Sequence, residues 1–494
     1  MSKTLLLGID IGTSACKVAA FDTDGRVVAQ TNKPYKVYYP NPGWAEQDPD
    51  EWWSAICEGI RELLDSQEVS ADDIAGIGVD GQSWSAIPVD KDGKVLAKTP
   101  IWMDTRARDI CDRVKQSVGE DRIFDIAGND FLPSYTTPKM LWFKEEHPEV
   151  FEKADKFLQS NSYIVYRLTG IMSQDLSQGY GIHFFDMTKL SYDADLAREF
   201  GLDVAFVPPL SACDEIVGQI TADAASLTGL KAGTPVVAGG LDAACGTLGA
   251  GVYETGQTQE QGGQAGGMSI CIDHALSHKK LILSPHVVPG RWLLQGGSVG
   301  GGGALKWFRQ EFGADLSFDD LTKEAETVNP GSDGVVFLPY MAGERSPIWD
   351  PDAKGVFYGL SFDKTRGHMI RAVLEGVAFS LQHNLLTAAE AGAKVGVLNA
   401  MGGSANSALW TQIKADVTGC RICVPESDTA TALGAAILAG VGCKVYENYD
   451  QAVKGTIEIK KEYEPDMQRH EIYKKSMELY LELYEDLKGT FKKY

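Results

Sequence analysis

The chain has 494 residues, and its 68 Asp and Glu residues outnumber its 46 Lys and Arg residues, which gives a formal charge of −22. Hydrophobic residues at 44% and charged residues at 23% are ordinary for a globular protein, and this length suffices for two hydrophobic cores. The acidic balance argues against broad binding to nucleic acid or anionic membranes, which needs surfaces rich in Lys and Arg. We therefore expect a two-domain, ligand-binding protein with no nucleic-acid or membrane partner.

The sequence favours a cytoplasmic location. The first apolar run, residues 5–9, ends at Asp10 without a signal-peptide pattern, and no apolar stretch is long enough to span a bilayer. Nine cysteines are scattered singly apart from Cys420 and Cys423. That pair could be redox-active or half a zinc site, but no second pair accompanies it. We predict packing cysteines in a reducing compartment.

The first predicted elements are short strands and hairpins. A buried strand over residues 5–12 ends in a glycine turn, and Asp24-Gly25 closes a hairpin between residues 17–21 and 26–30. A second Asp-Gly hairpin is predicted at Asp92-Gly93, between residues 86–89 and 94–97. Such strands followed by helices predict an α/β fold with a mixed sheet.

The first predicted helix begins after Asp48, the expected N-cap, with Pro49 as its first residue. Its apolar residues recur with helical spacing and predict one buried face. These residues are Trp53, Ile56, Ile60, Leu63 and Leu64.

The second half of the chain repeats this organisation. Residues 257–272 again predict strand, glycine turn and strand, and long helices are predicted over residues 369–391, 408–417 and 467–492. The repetition suggests two related halves. We place the domains at residues 1–248 and 249–494 and expect the ligands in the cleft between them.

The glycine turn after the first strand carries groups suited to phosphate. Gly12 permits a tight turn, and the hydroxyl and N–H groups of Thr13 and Ser14 can donate hydrogen bonds to phosphate oxygens. Asp10 stands at the strand end, where a carboxylate can hold a hydrated Mg²⁺. An ordinary polar hairpin turn would contain the same residue types. Both interpretations stay open at this point.

A second aspartate, Asp242, follows the apolar residues 235–238 and two glycines. A carboxylate there can accept the proton of a substrate hydroxyl as its oxygen attacks phosphorus. The alternative is that Asp242 is only the N-cap of the following helix. Because a helix N-terminus lowers the pKa of a carboxylate, we expect a weak base, which a dissociative phosphoryl transfer tolerates.

Three glycine-rich stretches lie in the second half, at residues 262–267, 296–303 and 401–406. Each follows an apolar run, so its backbone N–H groups could point at a nucleotide. None matches GxGxxG followed by a ribose-binding acid, which argues against a nicotinamide cofactor. Glycine also permits close packing of a helix on a strand, so each stretch alone is a weak indication.

Taken together, these motifs resemble those of the FGGY family of carbohydrate kinases, and most closely its xylulokinase branch. The matching segments follow one another in order over almost the whole chain. They are residues 8–14, 44–49, 78–82, 101–104, 238–242, 337–345, 371–377 and 401–410. The resemblance implies two actin-like ATPase (ribonuclease H-like) domains, each with a mixed β-sheet flanked by helices.

The resemblance also implies ATP-dependent phosphorylation of a sugar hydroxyl with Mg²⁺, the sugar being a ketopentose such as xylulose or another polyol, ketose or sugar acid. It places the general base at Asp242 and the metal at Asp10 and Asp242, and it leaves a homodimer open. The residues implied for ATP are Gly12, Thr13, Ser14, Gly263, Gln264, Gly302, Gly402, Gly403 and Asn406. Those implied for the sugar are Ser83, Trp84, Trp102, Asp104 and Asp242.

Two positions depart from the family pattern. Xylulokinases usually have Gln-Met-His-Gly where residues 82–85 are Gln-Ser-Trp-Ser, so the indole of Trp84 replaces a histidine and puts D-xylulose itself in question. The second phosphate loop, usually Gly-Thr-Ser-Gly, contains Gln264 here, whose amide can still donate. We expect Trp84 to cover the C–H face of the sugar. The alternative is that Trp84 lies in the core.

Two other classes of protein fit part of this pattern. An actin-like ATPase of chaperone or cytoskeletal type would share the hairpins and phosphate turns but would not need aromatic residues at Trp84 and Trp102. A catalytically silent sugar-binding regulator would explain the two departures.

Overall fold

A computed structural model describes residues 3–426 and 429–493. The strands of the first half are β1 (Leu5–Ile11), β2 (Ala15–Phe21), β3 (Val27–Pro34), β4 (Glu46–Gln47), β5 (Ile74–Gly81), β6 (Ile87–Val89), β7 (Thr99–Pro100), β8 (Lys156–Leu158), β9 (Gln174–Asp175), β10 (Phe185–Asp186), β11 (Ser191–Tyr192), β12 (Leu210–Ser211), β13 (Ile216–Gln219), β14 (Pro235–Val237) and β15 (Gly240–Leu241). The helices of this half are α1 (Pro49–Asp65), α2 (Arg108–Val114), α3 (Glu120–Ala127), α4 (Thr136–Glu146), α5 (Pro148–Phe151), α6 (Ser160–Thr169), α7 (Ala194–Glu199), α8 (Ala222–Thr228) and α9 (Asp242–Gly249).

The main sheet of the first half is mixed and seven-stranded, in the order β13-β14-β5-β1-β2-β3, with β15 also paired to β5. β1, β2 and β3 form an antiparallel meander that turns at Gly25, whose φ of 78° suits glycine. β5 lies parallel to β1, and β14 lies parallel to β5. This pairing confirms the α/β class with a mixed sheet.

The predicted hairpin at Asp92-Gly93 forms and is short. The Gly93 N–H donates to the Asp90 carbonyl at 2.9 Å, and the Asp90 N–H donates to the Lys94 carbonyl at 3.0 Å. The Leu96 N–H donates to the Pro88 carbonyl at 2.9 Å, next to an antiparallel bridge between Val89 and Val95. β6 also pairs with β8, a strand distant in sequence that the local pattern did not predict as its partner.

Helix α1 begins where the sequence predicts. Asp48 is the N-cap, its carboxylate accepts a hydrogen bond from the Asp50 N–H, and Pro49 is the first helical residue. The apolar face, including Ile56 and Ile60, is buried against β2 and β3. This burial fixes α1 on the main sheet of the first half.

The second half contains strands β16 (Gln257–Gly262), β17 (Gly266–Ile272), β18 (Ile282–Pro285), β19 (Trp292–Ser298), β20 (Val336–Leu338), β21 (Val356–Tyr358), β22 (Val397–Met401), β23 (Arg421–Pro425) and β24 (Ile459–Tyr463). Its helices are α10 (Gly302–Phe312), α11 (Phe318–Glu326), α12 (Arg366–Glu390), α13 (Ala408–Thr418), α14 (Ala430–Gly442), α15 (Tyr449–Thr456) and α16 (Met467–Phe491). The three long helices predicted from the sequence correspond to α12, α13 and α16. None of the helices within the described residues is long and apolar enough to cross a membrane.

The second main sheet has the order β18-β19-β17-β16-β22-β23-β24. β16, β17 and β19 form an antiparallel meander, and β22 lies parallel to β16. β1, β2, β3 and β5 have the same arrangement in the first half. The shared topology agrees with the duplication suggested by the sequence.

Helix α14 belongs to the second half in sequence but packs against β1, β5 and α9 of the first. Its close approach needs glycine, because a Cβ at Gly8 or Gly78 would overlap the carbonyl oxygen of Ala432 or Ala435. Part of the glycine content therefore serves helix–strand packing. The carboxyl ends of β1 and β5 lie next to the junction between the halves.

Candidate active site

Three aspartates meet at neighbouring strand ends. Asp10 on β1 is in register with Asp80 on β5, so both side chains leave the same face of the sheet. Asp242 directly follows β15, whose Gly240 is paired with Asp80. Burial raises the pKa of Asp10, although a hydrogen bond with Asp80 and the charge of Lys17 partly lower it. Burial, followed by the charges of Asp10 and Asp242, raises the pKa of Asp80 well above its usual range.

Asp242 is the first residue of α9 and not its N-cap, which is Leu241. Burial and the charge of Asp10 raise the pKa of Asp242 to about 7, although a hydrogen bond from the Ala243 N–H at 2.6 Å lowers it in part. The expected low pKa is therefore wrong, because desolvation outweighs the effect of the helix N-terminus. A carboxylate with this pKa can accept a proton near neutral pH.

The donor set at this position suits Mg²⁺. Asp10 and Asp242 both line the interdomain cleft, and carboxylate oxygens are the ligands that Mg²⁺ prefers. Within residues 3–426 and 429–493, no group of three or more His, Cys, Asp and Glu side chains is arranged to hold a metal by itself. Mg²⁺ commonly binds through one or two carboxylates, with phosphate oxygens and water completing its shell. Asp10 and Asp242 are sufficient for such a site.

The turn between β1 and β2 is held by contacts from three other segments. The Gly12 carbonyl accepts a hydrogen bond from the Tyr35 hydroxyl. The Thr13 carbonyl accepts from Gln47 Nε2 at 2.8 Å, and Thr13 Oγ1 accepts from Trp102 Nε1 at 2.9 Å. Ser14 is exposed at the tip of the turn. These contacts fix the backbone that is predicted to meet phosphate.

A cleft with a volume of about 1780 Å³ is lined by both halves of the chain. Six residues predicted from the sequence line it: Asp10, Gly12, Asp242, Gly402, Gly403 and Asn406. Gly402 joins β22 to a 3₁₀ turn over Gly403–Asn406, and its φ of 85° suits glycine. A Cβ there would lie 2.9 Å from the Gly262 carbonyl. Residues 402–406, which form the floor of the cleft, and the two aspartates Asp10 and Asp242 thus line the same cleft.

The glycine turn at Gly263 and Gln264 is hydrogen-bonded to the first residues of α10. The Gly302 N–H donates to the Gly263 carbonyl at 2.7 Å, and the Gly303 N–H donates to the Gln264 carbonyl at 2.9 Å. These first amides of α10 are therefore already satisfied in this structure. Neither Gly302 nor the turn at Gly263 and Gln264 lines the cleft. The structure brings them to each other but not to Asp242.

Trp84 lies in a buried aromatic cluster after β5. Its side chain is 8% exposed, and the indole stacks on Tyr135 with ring centroids 4.1 Å apart. Tyr180 is tilted against the same indole, and its hydroxyl donates to Ser83 Oγ at 2.8 Å. One indole face is thus covered by protein. A sugar contact would have to use the remaining edge or face.

Asp104 and Trp102 differ in how accessible their side chains are to a ligand. The Asp104 carboxylate accepts from the Ala45 N–H at 2.7 Å and forms an ion pair with Arg106 at 2.8 Å, both within a fully buried site. It is occupied by the protein, so we do not retain it as a sugar ligand. Trp102 is 37% exposed, and its Nε1 donates a hydrogen bond to Thr13 in the turn between β1 and β2.

Arg345 is a charged residue for which the sequence predicted no role, although it ends the motif at residues 337–345. Its guanidinium lies against β19, where a Cβ at Gly297 would be 3.1 Å from Nη1. Burial raises the pKa values of Tyr135 and Tyr180, and the positive charge of Arg345 opposes this rise at both. Arg345 has no ion pair within the part of the chain that the structure describes. A second-half cation therefore acts on the aromatic cluster of the first half.

Two buried residues, Asp80 and Lys139, were also not predicted from the sequence. Asp80 lies in the FGGY-like motif at residues 78–82. An acidic residue at the end of an apolar strand could have indicated a site residue there. Lys139 is fully buried on α4 and donates to the carbonyls of Trp84 and Ile101. An isolated lysine among apolar residues gave no indication of that role, because both acceptors are backbone atoms of distant segments.

Comparison with known proteins agrees with this geometry. The N-terminal domain model of the FGGY family of carbohydrate kinases matches residues 5–249, and the C-terminal domain model matches residues 273–443. The chain is 32% identical to the xylulose kinase of Bacillus subtilis, over 99% of each chain. A ligand-bound xylulose kinase structure from Lactobacillus acidophilus is similar with a TM-score of 0.91 and 27% identity, over 99% of each chain.

A gluconate kinase structure from Lactobacillus acidophilus is similar with a TM-score of 0.92 and 27% identity, covering 100% of both chains. These likenesses extend over both halves of the chain. The protein described here belongs to the FGGY family of carbohydrate kinases.

Proposed function

We propose that the protein transfers the γ-phosphoryl group of ATP to a sugar hydroxyl, with Asp242 as the general base. The observation that carries this proposal is the placement of Asp242, with a pKa of about 7, in the same cleft as Gly12 and the Gly402–Asn406 floor. A chaperone-type ATPase does not require a base for a second substrate. The family membership supports the kinase over that alternative and over a silent regulator.

In the proposed reaction, Asp242 accepts the proton of the attacking hydroxyl. The hydroxyl oxygen forms a bond to the γ-phosphorus while the bond from that phosphorus to the β–γ bridging oxygen breaks. The products are ADP and a sugar phosphate, and the proton resides on Asp242 until solvent removes it.

Asp10 and Asp242 are the residues proposed to hold Mg²⁺. The metal, when bound, neutralises charge on the phosphate oxygens. The Gly12–Ser14 turn is proposed to meet the β- and γ-phosphates, and Gly402, Gly403 and Asn406 the adenosine. The lining of one cleft by Asp10, Gly12 and the 402–406 floor supports this division.

A ketopentose such as D-xylulose is the first candidate acceptor. The full-length similarity to xylulose kinase supports it. A sugar acid such as gluconate is the second candidate, because the exposed Arg345 has no ion pair within the described residues and its charge opposes the rise in the pKa of Tyr180, which packs against Trp84. A carboxylate would pair with that guanidinium.

The test is ADP release measured with purified enzyme, Mg²⁺-ATP and single acceptors: D-xylulose, L-xylulose, D-ribulose, glycerol and gluconate. We expect ADP release that depends on one acceptor class and a phosphorylated product visible by mass spectrometry. Arg345→Met should selectively lose activity on gluconate if the sugar acid is the substrate. Hydrolysis of ATP at equal rates with and without every acceptor would overturn the kinase proposal, and no turnover with retained sugar binding would favour a regulator.

A reducing cytoplasm is the proposed location, and the nine cysteines, all free, support it. A homodimer stays a prediction, which light scattering of the purified protein checks.

A further inference from the structure

Lys139 occupies an unusual position for a lysine. Its side chain is fully buried, and Nζ donates two hydrogen bonds of 2.8 Å, one to the Trp84 carbonyl and one to the Ile101 carbonyl. Burying an ammonium group away from water is costly unless it is well hydrogen-bonded. No carboxylate forms an ion pair with it within the described residues, and burial lowers its pKa to about 7. Its partners are therefore two backbone carbonyls.

Those carbonyls belong to the two loops that carry the residues predicted to meet the sugar. The loop after β5 contains Ser83 and Trp84, and the loop after β7 contains Trp102. Lys139 thus connects two segments that are both predicted to meet the sugar.

The backbone at Trp84 needs such support. Its φ is 62°, in the left-handed region that non-glycine residues rarely adopt, and such strain persists only where the surroundings enforce it. The same end of α4 also supplies Tyr135, on which the indole stacks at 4.1 Å, and Thr136, whose Oγ1 donates to the Ser85 carbonyl at 3.3 Å. The N-terminal end of α4 therefore contacts the Trp84 ring, the Trp84 carbonyl and the Ser85 carbonyl.

We infer that Lys139 is a positioning residue for the acceptor sugar, which fixes the Ser83–Trp84 loop relative to the Trp102 loop. The inference rests on the proposed function of these loops as the sugar site. The nucleotide floor at residues 402–406 belongs to the other half of the chain and has no contact with Lys139. Loss of the bridge should thus affect the acceptor more than ATP.

The experiment compares the wild type with Lys139→Met, which keeps the length of the side chain and removes the donors. Lys144→Met is the matched control, because Lys144 lies on the same helix and also donates to a carbonyl, that of Gly201, but is exposed and outside the loops. We expect Lys139→Met to raise the KM for the acceptor by about tenfold, with the KM for ATP within about twofold of wild type. The control should match the wild type in both constants.

A folded Lys139→Met enzyme with an unchanged acceptor KM, or with equal increases in both KM values, would overturn the inference. A purely structural role would lower only the amount of active enzyme. If the wild type transfers phosphate to none of the acceptors tested, the proposed function itself is wrong and the acceptor role of Lys139 is wrong with it.

If Lys139→Met does not fold, wild-type protein with ¹⁵N-labelled lysine side chains decides the question. Lys139 and Lys414 are the two fully buried lysines of the described residues, so their side-chain hydrogens exchange slowly enough to be observed. Lys414 contacts Glu260 and Ser404 beneath the nucleotide floor and serves as an internal control. The Lys414 resonance is the one absent from labelled Lys414→Arg. We expect the acceptor alone to shift the Lys139 resonance and to leave that of Lys414 in place. An acceptor at saturating concentration that leaves the Lys139 resonance unshifted would refute the positioning role.

Discussion

Trp102 Nε1 donates a hydrogen bond to Thr13 Oγ1 at 2.9 Å. Trp102 is predicted to meet the sugar and Thr13 the phosphates of ATP, so this bond joins the two predicted substrate regions directly. Because the Thr13 carbonyl is also held by Gln47, the turn has support on two sides.

Trp102→Phe removes this bond and keeps an aromatic ring. We expect a loss of about 1 kcal/mol, the net value of one hydrogen bond, or roughly fivefold in kcat/KM, for ATP as well as for the acceptor. Steady-state kinetics with each substrate varied checks the result. Trp349→Phe is the control, since Trp349 donates to the Lys280 carbonyl away from the cleft. An effect confined to the acceptor would show that the turn does not depend on the indole.

Asp242→Asn keeps the size of the side chain and removes the proton acceptor. We expect kcat to fall by ~10²–10⁴, the usual contribution of a general base, with binding of ATP retained. Asp223→Asn, which removes an exposed carboxylate from the first turn of α8, controls for the loss of a charge at a helix N-terminus. Near-normal turnover of Asp242→Asn would assign Asp242 a structural role.

Asp10→Asn is expected to act on a different step. Removal of one proposed Mg²⁺ ligand should raise the metal concentration needed for half-maximal rate, and excess Mg²⁺ should recover part of the activity. Titration with Mg²⁺ at saturating ATP measures this effect. An unchanged requirement for the metal would exclude Asp10 as a ligand.

Trp84→His restores the residue usual in the xylulokinase branch. If the indole contacts the acceptor, the ratio of kcat/KM for D-xylulose to that for the preferred acceptor should rise about tenfold, or ~1.4 kcal/mol of differential transition-state binding. Its burial on Tyr135 predicts a lower melting temperature as well, because a smaller ring leaves a cavity. Trp53→His, a buried position on α1, controls for that loss of packing. An unchanged ratio would place Trp84 in the core only.

Glu344 predicts a pH-dependent stability. Burial raises its pKa from 4.5 to about 7, against hydrogen bonds from the Val299 and Arg345 N–H groups. Folding thus favours the protonated form, whose stabilising effect is complete below pH 4.5 and is lost as the pH rises to about 7. At ~1.4 kcal/mol per pH unit, Glu344→Gln should gain on the order of 3 kcal/mol relative to wild type between pH 4.5 and 8. Denaturant unfolding at both pH values measures this difference.

Glu478→Gln, at an exposed position of α16, is the control for that measurement and should show no such trend. Parallel pH profiles for the wild type and Glu344→Gln would mean that Glu344 is ionised in the folded protein.

Local sequence signals determined much of the framework. The Asp24-Gly25 turn, the start of α1 after Asp48, and the aspartates at the ends of apolar strands all depend on neighbouring residues. Such signals arise from backbone conformation, capping and periodicity within a few residues. Together with the ordered motifs, they were sufficient for the fold class and for the positions of Asp10 and Asp242.

Only the tertiary structure decided what surrounds these groups. The pKa of Asp242 follows from burial and from Asp10, on a strand far away in sequence; the Ala45 N–H occupies the Asp104 carboxylate; and β8 gives β6 a second partner that is distant in sequence. Desolvation, hydrogen bonds between distant segments and strand pairing depend on segments that meet only after folding, so no local pattern encodes them. The sequence by itself thus indicated the groups that we propose to carry the chemistry, and the packing of distant segments set their protonation and their partners.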